Sequence, residues 1–389
     1  MDTKVQNPAL VSCQGLRNEK IMNLTARCFT LKTLVCHGLA VILLITVSAV
    51  SFAANKAPIM LEKQGNFSAG GTVIYTEGKF DGKQLFNSQG QTLHGDHASV
   101  FYQIPVDAKP YPLVFLHGAG QSASTWGTTP DGREGFQSLF LRKKYPVYLV
   151  DQPRRGRAGQ STVSMEVEAT TYDQMWFNMF RIGQWPERFK GVQFPDKPEA
   201  LNQYFRQMTP NTGPYDEQLI SDSLAQVFKR SGDSVLITHS QGGGPGWWTA
   251  IKSDKVRGIV SYEPGSGFVF PEGEVPDAME SGTGKLTATP VSIEQFKKLT
   301  QIPIIIYYGD NIPSKKSDNP GQDNWRVRVS MAHLWVNKIN QYGGQAQVVE
   351  LPKIGVYGNT HFPFSDLNNE KIATLLEQWL EKNKLSAQE

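Results

Sequence analysis

Residues far apart in this chain could together perform acyl transfer. Ser240 stands in VLITHSQGGG (235–244), where an apolar run ends and glycines begin. A serine hydroxyl is a weak nucleophile at neutral pH. It needs a base within hydrogen-bond reach, a group that orients the base, and donors for the oxyanion. A strand that turns sharply into a helix lifts such a serine clear of the sheet, and its neighbours must be small. Gly242 and Gly243 meet that need. Thr238, two residues before the serine, is larger than the glycine such turns favour. The turn alone therefore also fits a serine that merely ends a strand.

His361, in GVYGNTHFPF (355–364), is the expected base. It lies in a glycine-bounded loop late in the chain, just before the last helix. His94 and His97 precede the first core strand and His333 sits in a helix-like run, so none of them follows a core strand. Two acids fit the chain order of serine, then acid, then histidine. Glu263 lies in IVSYEPG, between an apolar strand and a Pro-Gly turn, and Asp310 follows one strand later in IIYYGDN. Asp310 could instead cap its own turn, since aspartate is favoured there. The small residues of His117-Gly118-Ala119-Gly120 let backbone approach a carbonyl, and the N–H groups of Ala119 and Gln241 are the expected oxyanion donors. His117 and His239 read as structural.

Elements that could position these residues are legible around them. Short apolar runs lie at LVFL (113–116), YPVYLVD (145–151), SVLITH (234–239), VRGIVSY (256–262) and IPIIIYY (302–308). Such runs are expected of strands buried on both faces. Helix-like segments lie between or beside them at 136–144, 219–231, 291–300 and 326–341. A last helix, 367–383, carries an apolar stripe at Ile372, Leu375, Leu376, Trp379 and Leu380. The alternation predicts an α/β fold, a mostly parallel central sheet with helices on both faces. Upstream, TVIYTEGKF (72–80) and SVFYQIP (99–105) read as antiparallel strands about a DGKQ turn. Residues 160–218 are too long for an ordinary connection and rich in aromatics, which predicts a helical cap-like insertion. Gly120, Trp126, Trp176, Phe180 and Trp185 are the candidate substrate contacts. Residues 266–290 read as a second, mobile loop.

Composition narrows the classes. Residues 34–54 form an apolar run preceded by Lys20, Arg27 and Lys32 and followed by small residues at Ser51 and Ala53. This is the pattern of a signal peptide over 1–54, with Met22 as an alternative start and an uncleaved anchor as the rival reading. That leader holds five basic and two acidic residues of the chain's 39 and 36, which leaves 34 of each. The neutral remainder, a single domain over 55–389, gives no net-charge case for nucleic acid or anionic membrane. Cys13, Cys28 and Cys36 all fall in the leader, so the mature chain has no thiolate nucleophile, disulfide or Cys-based metal site. No metal or organic cofactor is implied. The expected partner is a small ester, the expected location periplasmic or extracellular, and a homodimer stays open.

The chain resembles the α/β-hydrolase fold, and within it the secreted bacterial esterases of the esterase seven-thirteen type. The resemblance is carried in order by YQIPVDAKPYPLVFLHG, TWGTTPDGREGFQSLFLRKKYPVYLVDQPRRGR, THSQGG, IVSYEPG and GVYGNTHF, over most of residues 100–380. In that group the first position of the turn is also not glycine. The resemblance implies a triad of Ser240, His361 and Glu263, favouring Glu263 over Asp310, and ester hydrolysis through an acyl-enzyme. One departure stands out. The best-known type carries two adjacent cysteines where this chain has Ala119 and Gly120. Amide or C–C bond cleavage, lyase chemistry and a non-catalytic binding module are the rival uses of such a fold.

Overall fold

The strands that read as apolar runs are buried over almost their whole length, because their alternate side chains enter two different cores. A computed structural model describes residues 56–387. The expected leader, 1–54, lies outside them. From Pro58 onward the chain forms one compact unit. Eight strands make the central sheet: β1 (Leu61–Tyr75), β2 (Thr92–Pro105), β3 (Leu113–Leu116), β4 (Val147–Asp151), β5 (Ser234–His239), β6 (Val256–Tyr262), β7 (Pro303–Tyr308) and β8 (Gln345–Glu350). Their spatial order is β1-β2-β4-β3-β5-β6-β7-β8. β1 and β2 are antiparallel, as are β2 and β4, and the remaining pairs are parallel. Val114, Leu116, Leu236, Ile259 and Ile306 face one core, with Trp247 and Trp335. Leu113, Phe115, Ile237, Val260 and Ile305 face the other, with Phe136, Phe140 and Trp379. The α/β architecture is thus the expected one.

The helices are α1 (Phe136–Arg142), α2 (Asp173–Met179), α3 (Pro198–Arg206), α4 (Glu217–Ser231), α5 (Gly243–Lys252), α6 (Ile293–Leu299), α7 (Pro320–Gln341) and α8 (Asn369–Lys382). α7 begins six residues before the expected 326. Asn319 caps it by accepting from the Gln322 N–H at 3.1 Å, and Pro320 occupies the first turn, where a missing N–H costs nothing. In α8, Ile372, Leu376, Trp379 and Leu380 are buried as the stripe predicts, with Leu375 half-buried.

Three expectations are corrected. TVIYTEGKF is strand only to Tyr75, and the hairpin loop spans 76–91 rather than DGKQ. Most of β1 is exposed at the sheet edge, so no clean alternation marks its limits. Residues 266–290 are folded rather than a plain loop. Val269–Pro271 pairs in parallel with Thr289–Val291, and Met279–Ser281 pairs with Gly284–Leu286. Phe268, Val269, Phe270 and Leu286 anchor this excursion in the core. β8 was not expected; its QAQVVE sequence is half-exposed and lacks a continuous apolar run.

Between β4 and α4 the insertion supplies α2, a two-residue hairpin (Gly183–Gln184 with Glu187–Arg188) and α3. Among the described residues no helix is long and apolar enough to cross a membrane.

Candidate active site

Ser240 sits where β5 turns into α5, with φ +52°, a left-handed conformation costly for a residue with a β-carbon. It is nearly buried, at 7% exposure. Its neighbours explain which residues must be small. A β-carbon on Gly118 would lie 2.7 Å from Ser240 Cβ, and one on Gly242 would lie 2.8 Å from the His117 carbonyl. Thr238 is accommodated from two sides. Its hydroxyl donates to Ser261 Oγ at 2.8 Å, and its methyl fills space left by Gly246 on α5, where a β-carbon would approach to 2.8 Å. The glycine expected before the serine has in effect moved to the facing helix.

The histidine loop is tied on several sides. Asp366 accepts from the Thr360 N–H at 2.7 Å, from the Thr360 hydroxyl at 2.8 Å and from Asn359 Nδ2 at 3.0 Å. His361 Nδ1 donates to Glu263 Oε2 at 2.5 Å. That bond fixes the tautomer, leaving the lone pair on Nε2, the atom a general base must use. Nε2 has no hydrogen-bond partner, so the bond to Ser240 is open in this conformation. Such bonds are commonly loose in free enzymes and tighten on substrate. His239 donates from Nε2 to the His361 carbonyl at 2.9 Å, so it ties the His361 loop in addition to packing beside the turn. The His361 ring stacks on Phe180 (centroids 4.7 Å) and packs on Trp325 (4.1 Å).

Glu263 follows β6 with φ +50° and is fully buried. Its Oε1 accepts from the Gly309 N–H at 2.6 Å and from Arg181 Nη2. Burial pushes its carboxyl up, but the Arg181 charge and the His361 bond outweigh this and hold it below its ordinary value. Burial drives His361 down to about 4; Glu263 pulls against that, and Arg181 and Arg328 add to it. The rival acid, Asp310, turns elsewhere: its carboxylate accepts from Gly358 N–H at 2.7 Å and Asn311 N–H at 2.6 Å. It caps the turn that carries it.

The loop after β3 is pinned by its carbonyls. The Gly118 carbonyl accepts from Arg155 Nη1 at 2.9 Å and from His117 Nδ1 at 3.0 Å. A peptide plane points its N–H opposite to its carbonyl, so the Ala119 N–H is aimed away from Arg155. The Ser240 carbonyl accepts from Gly265 N–H at 3.0 Å, which orients the Gln241 N–H in the same way. His117 is structural: Nε2 accepts from Gln152 N–H at 3.3 Å, and burial with the nearby Arg155 charge lowers it to about 4. Gly118→Ala should push this loop off Ser240. The expected result is a kcat lower by about 10², read from initial rates on a short ester; an unchanged kcat would remove the loop from the chemistry.

A cleft of about 460 Å³ opens beside Ala119, Gly120 and Gln241, with Arg155, Trp176, Met208 and Asn211 also lining it. Gly120 and Trp176, two of the candidate substrate contacts, line this cleft. Phe180 instead supports the His361 ring. Trp126 is a correction: it is fully buried in the core against Phe364, Phe115 and Phe136. Trp185 packs edge-on to Phe177, outside the cleft. Sequence reasoning missed Arg155, Arg181 and Trp325. A charged residue between Phe180 and Ile182 was the available signal for Arg181, since such a cation is buried only with a partner. Among the described residues no group of His, Cys, Asp and Glu could hold a metal ion.

The model of the alpha/beta hydrolase family matches residues 113–366, which span β3 to the loop carrying His361. The chain belongs to the alpha/beta hydrolase family. This hydrolase is 29% identical to a solved structure described as a novel bacterial esterase, over 84% of its own length and 98% of that chain, with a TM-score of 0.67. It is also 26% identical, over 312 residues, to the "Probable secreted lipase phiG" of a fungal species, covering 70% of this chain and 82% of that protein.

Proposed function

We propose that the chain is an exported serine hydrolase of carboxylic esters, working through Ser240, His361 and Glu263. The observation that carries the reading is the buried His361–Glu263 pair, with imidazole Nε2 left free and its loop bonded to His239, the residue before a serine held in a strained turn. The likeness to an esterase and to a lipase supports the ester as substrate class. The word "secreted" in the second relative's name agrees with export.

His361 takes the Ser240 proton as Oγ attacks the ester carbonyl. The Ala119 and Gln241 N–H groups receive the oxyanion. Glu263 keeps the imidazole oriented and balances the imidazolium charge. His361 then protonates the leaving alcohol, and water activated by the same nitrogen releases the acid. Each step uses groups of this chain alone. A panel of p-nitrophenyl esters of increasing acyl length tests the reaction class. Turnover is expected, and no turnover at any length would contradict the esterase reading. N-terminal sequencing of the protein recovered from the producing cell tests export. A start soon after Ala54 is expected, and an intact leader would contradict cleavage.

A further inference from the structure

We propose that Arg181, carried by the insertion rather than by the sheet, is a positioning residue of the triad: it aims the Glu263 carboxylate at His361 and keeps it ionised. The inference rests on the proposed triad. Arg181 is fully buried and adopts φ +59°. Nη2 bonds Glu263 Oε1, and Nε donates to the Asp310 carbonyl at 2.8 Å. Its guanidinium lies over the Trp325 ring at 5.3 Å. The same short segment reaches the base. The Phe180 carbonyl accepts from the His361 N–H at 2.9 Å, and the Met179 carbonyl accepts from Trp325 Nε1 at 2.6 Å. The insertion therefore touches both the acid and the base of the triad, and the root of the cap is part of the catalytic frame.

The electrostatic consequence has a definite sign. Free enzyme holds one negative charge on the Glu263–His361 pair, and Arg181 offsets it. Removing that cation raises the proton affinity of the pair, whichever of the two takes the proton. Arg328 on α7, His239, Asp366 and the Tyr308 hydroxyl also face the pair. Of the two cations, Arg181 is the one bonded to the carboxylate.

The test is kcat/KM against pH, on p-nitrophenyl acetate, for wild type, Arg181→Met and Arg181→Lys. The acid limb of that profile reports the free enzyme. In Arg181→Met it should move up by about one pH unit or more, with a fall in kcat. Arg181→Lys, which keeps the cation, should leave the limb near the wild-type position. If the methionine variant does not fold, Arg181→Gln carries the same expectation. A neutral variant that loses activity with its limb unmoved would make Arg181 a packing residue and overturn the proposal. A lysine variant with a limb displaced like the neutral ones would also overturn it. Wild type that turns over no ester would instead sink the functional reading itself.

Discussion

Ser240→Ala should fold like the parent protein and lose ester hydrolysis by on the order of 10⁶ in kcat. The size of the loss follows from the chemistry. Without Oγ there is no acyl-enzyme, and what remains is the oxyanion loop and substrate binding. The fold should tolerate the change, because alanine keeps the β-carbon at φ +52° and adds no volume to a site at 7% exposure. Circular dichroism and a urea melt alongside initial rates separate the two effects. A residual rate within tenfold of wild type would mean that Ser240 is not the nucleophile.

Glu263→Gln and Asp310→Asn should differ by orders of magnitude. Glu263→Gln replaces the acceptor of the His361 Nδ1 proton and leaves Arg181 facing a neutral amide in a fully buried site. A kcat loss on the order of 10⁴ is expected, by analogy with the triad aspartate of serine proteases. Breaking a buried ion pair also destabilises by about 3–5 kcal/mol, so the rate must be taken well below the melting temperature. Asp310→Asn keeps one oxygen, enough for only one of the Gly358 and Asn311 N–H groups that its two carboxylate oxygens accept from, and touches neither nitrogen of His361. Less than about a tenfold loss is expected there, since one ordinary hydrogen bond is at stake. If Asp310→Asn were the more damaging change, the assignment of the acid would be reversed.

The parts of this fold legible in the sequence are those where one physical cause dominates. β3 to β7 are buried on both faces over most of their length, so each appears as a largely apolar run, with Arg257 near the start of β6 the exposed exception. The candidate site residues follow these strands: the His117-Gly118-Ala119 loop after β3, Ser240 after β5 and Glu263 after β6. β1 and β8 lie at the two sheet edges and carry a mixture that hides their limits. The excursion at 266–290 was hidden by its glycines and acids, which surround a few residues that reach the core. Among the insertion's aromatics, sequence could not separate a cleft wall (Trp176), a support for the base (Phe180) and an outer contact (Trp185). All three lie within ten residues, and only tertiary packing distinguishes them. The partners of Arg181 and Arg155 were illegible for a similar reason, since they are backbone carbonyls, a glutamate and an asparagine brought near by the fold.

The choice between Glu263 and Asp310 was open from the residues alone and tipped to Glu263 only by family resemblance. The geometry supplies an independent reason. Both oxygens of Asp310 are directed to turn N–H groups and neither bonds His361. A buried carboxylate bridged between Arg181 and His361 has no other use for its second oxygen. Thr238 is explained in the same way, by Gly246 across the turn rather than by any loss of the turn itself.

The most direct test is the site of covalent modification by a fluorophosphonate, a probe that reacts with an activated serine as an ester would. Intact mass should show one adduct per chain, peptide mapping should place it on Ser240, and the Ser240→Ala protein should stay unlabelled. An active wild type that takes no adduct, or one modified at another residue with Ser240 untouched, would contradict catalysis through this serine.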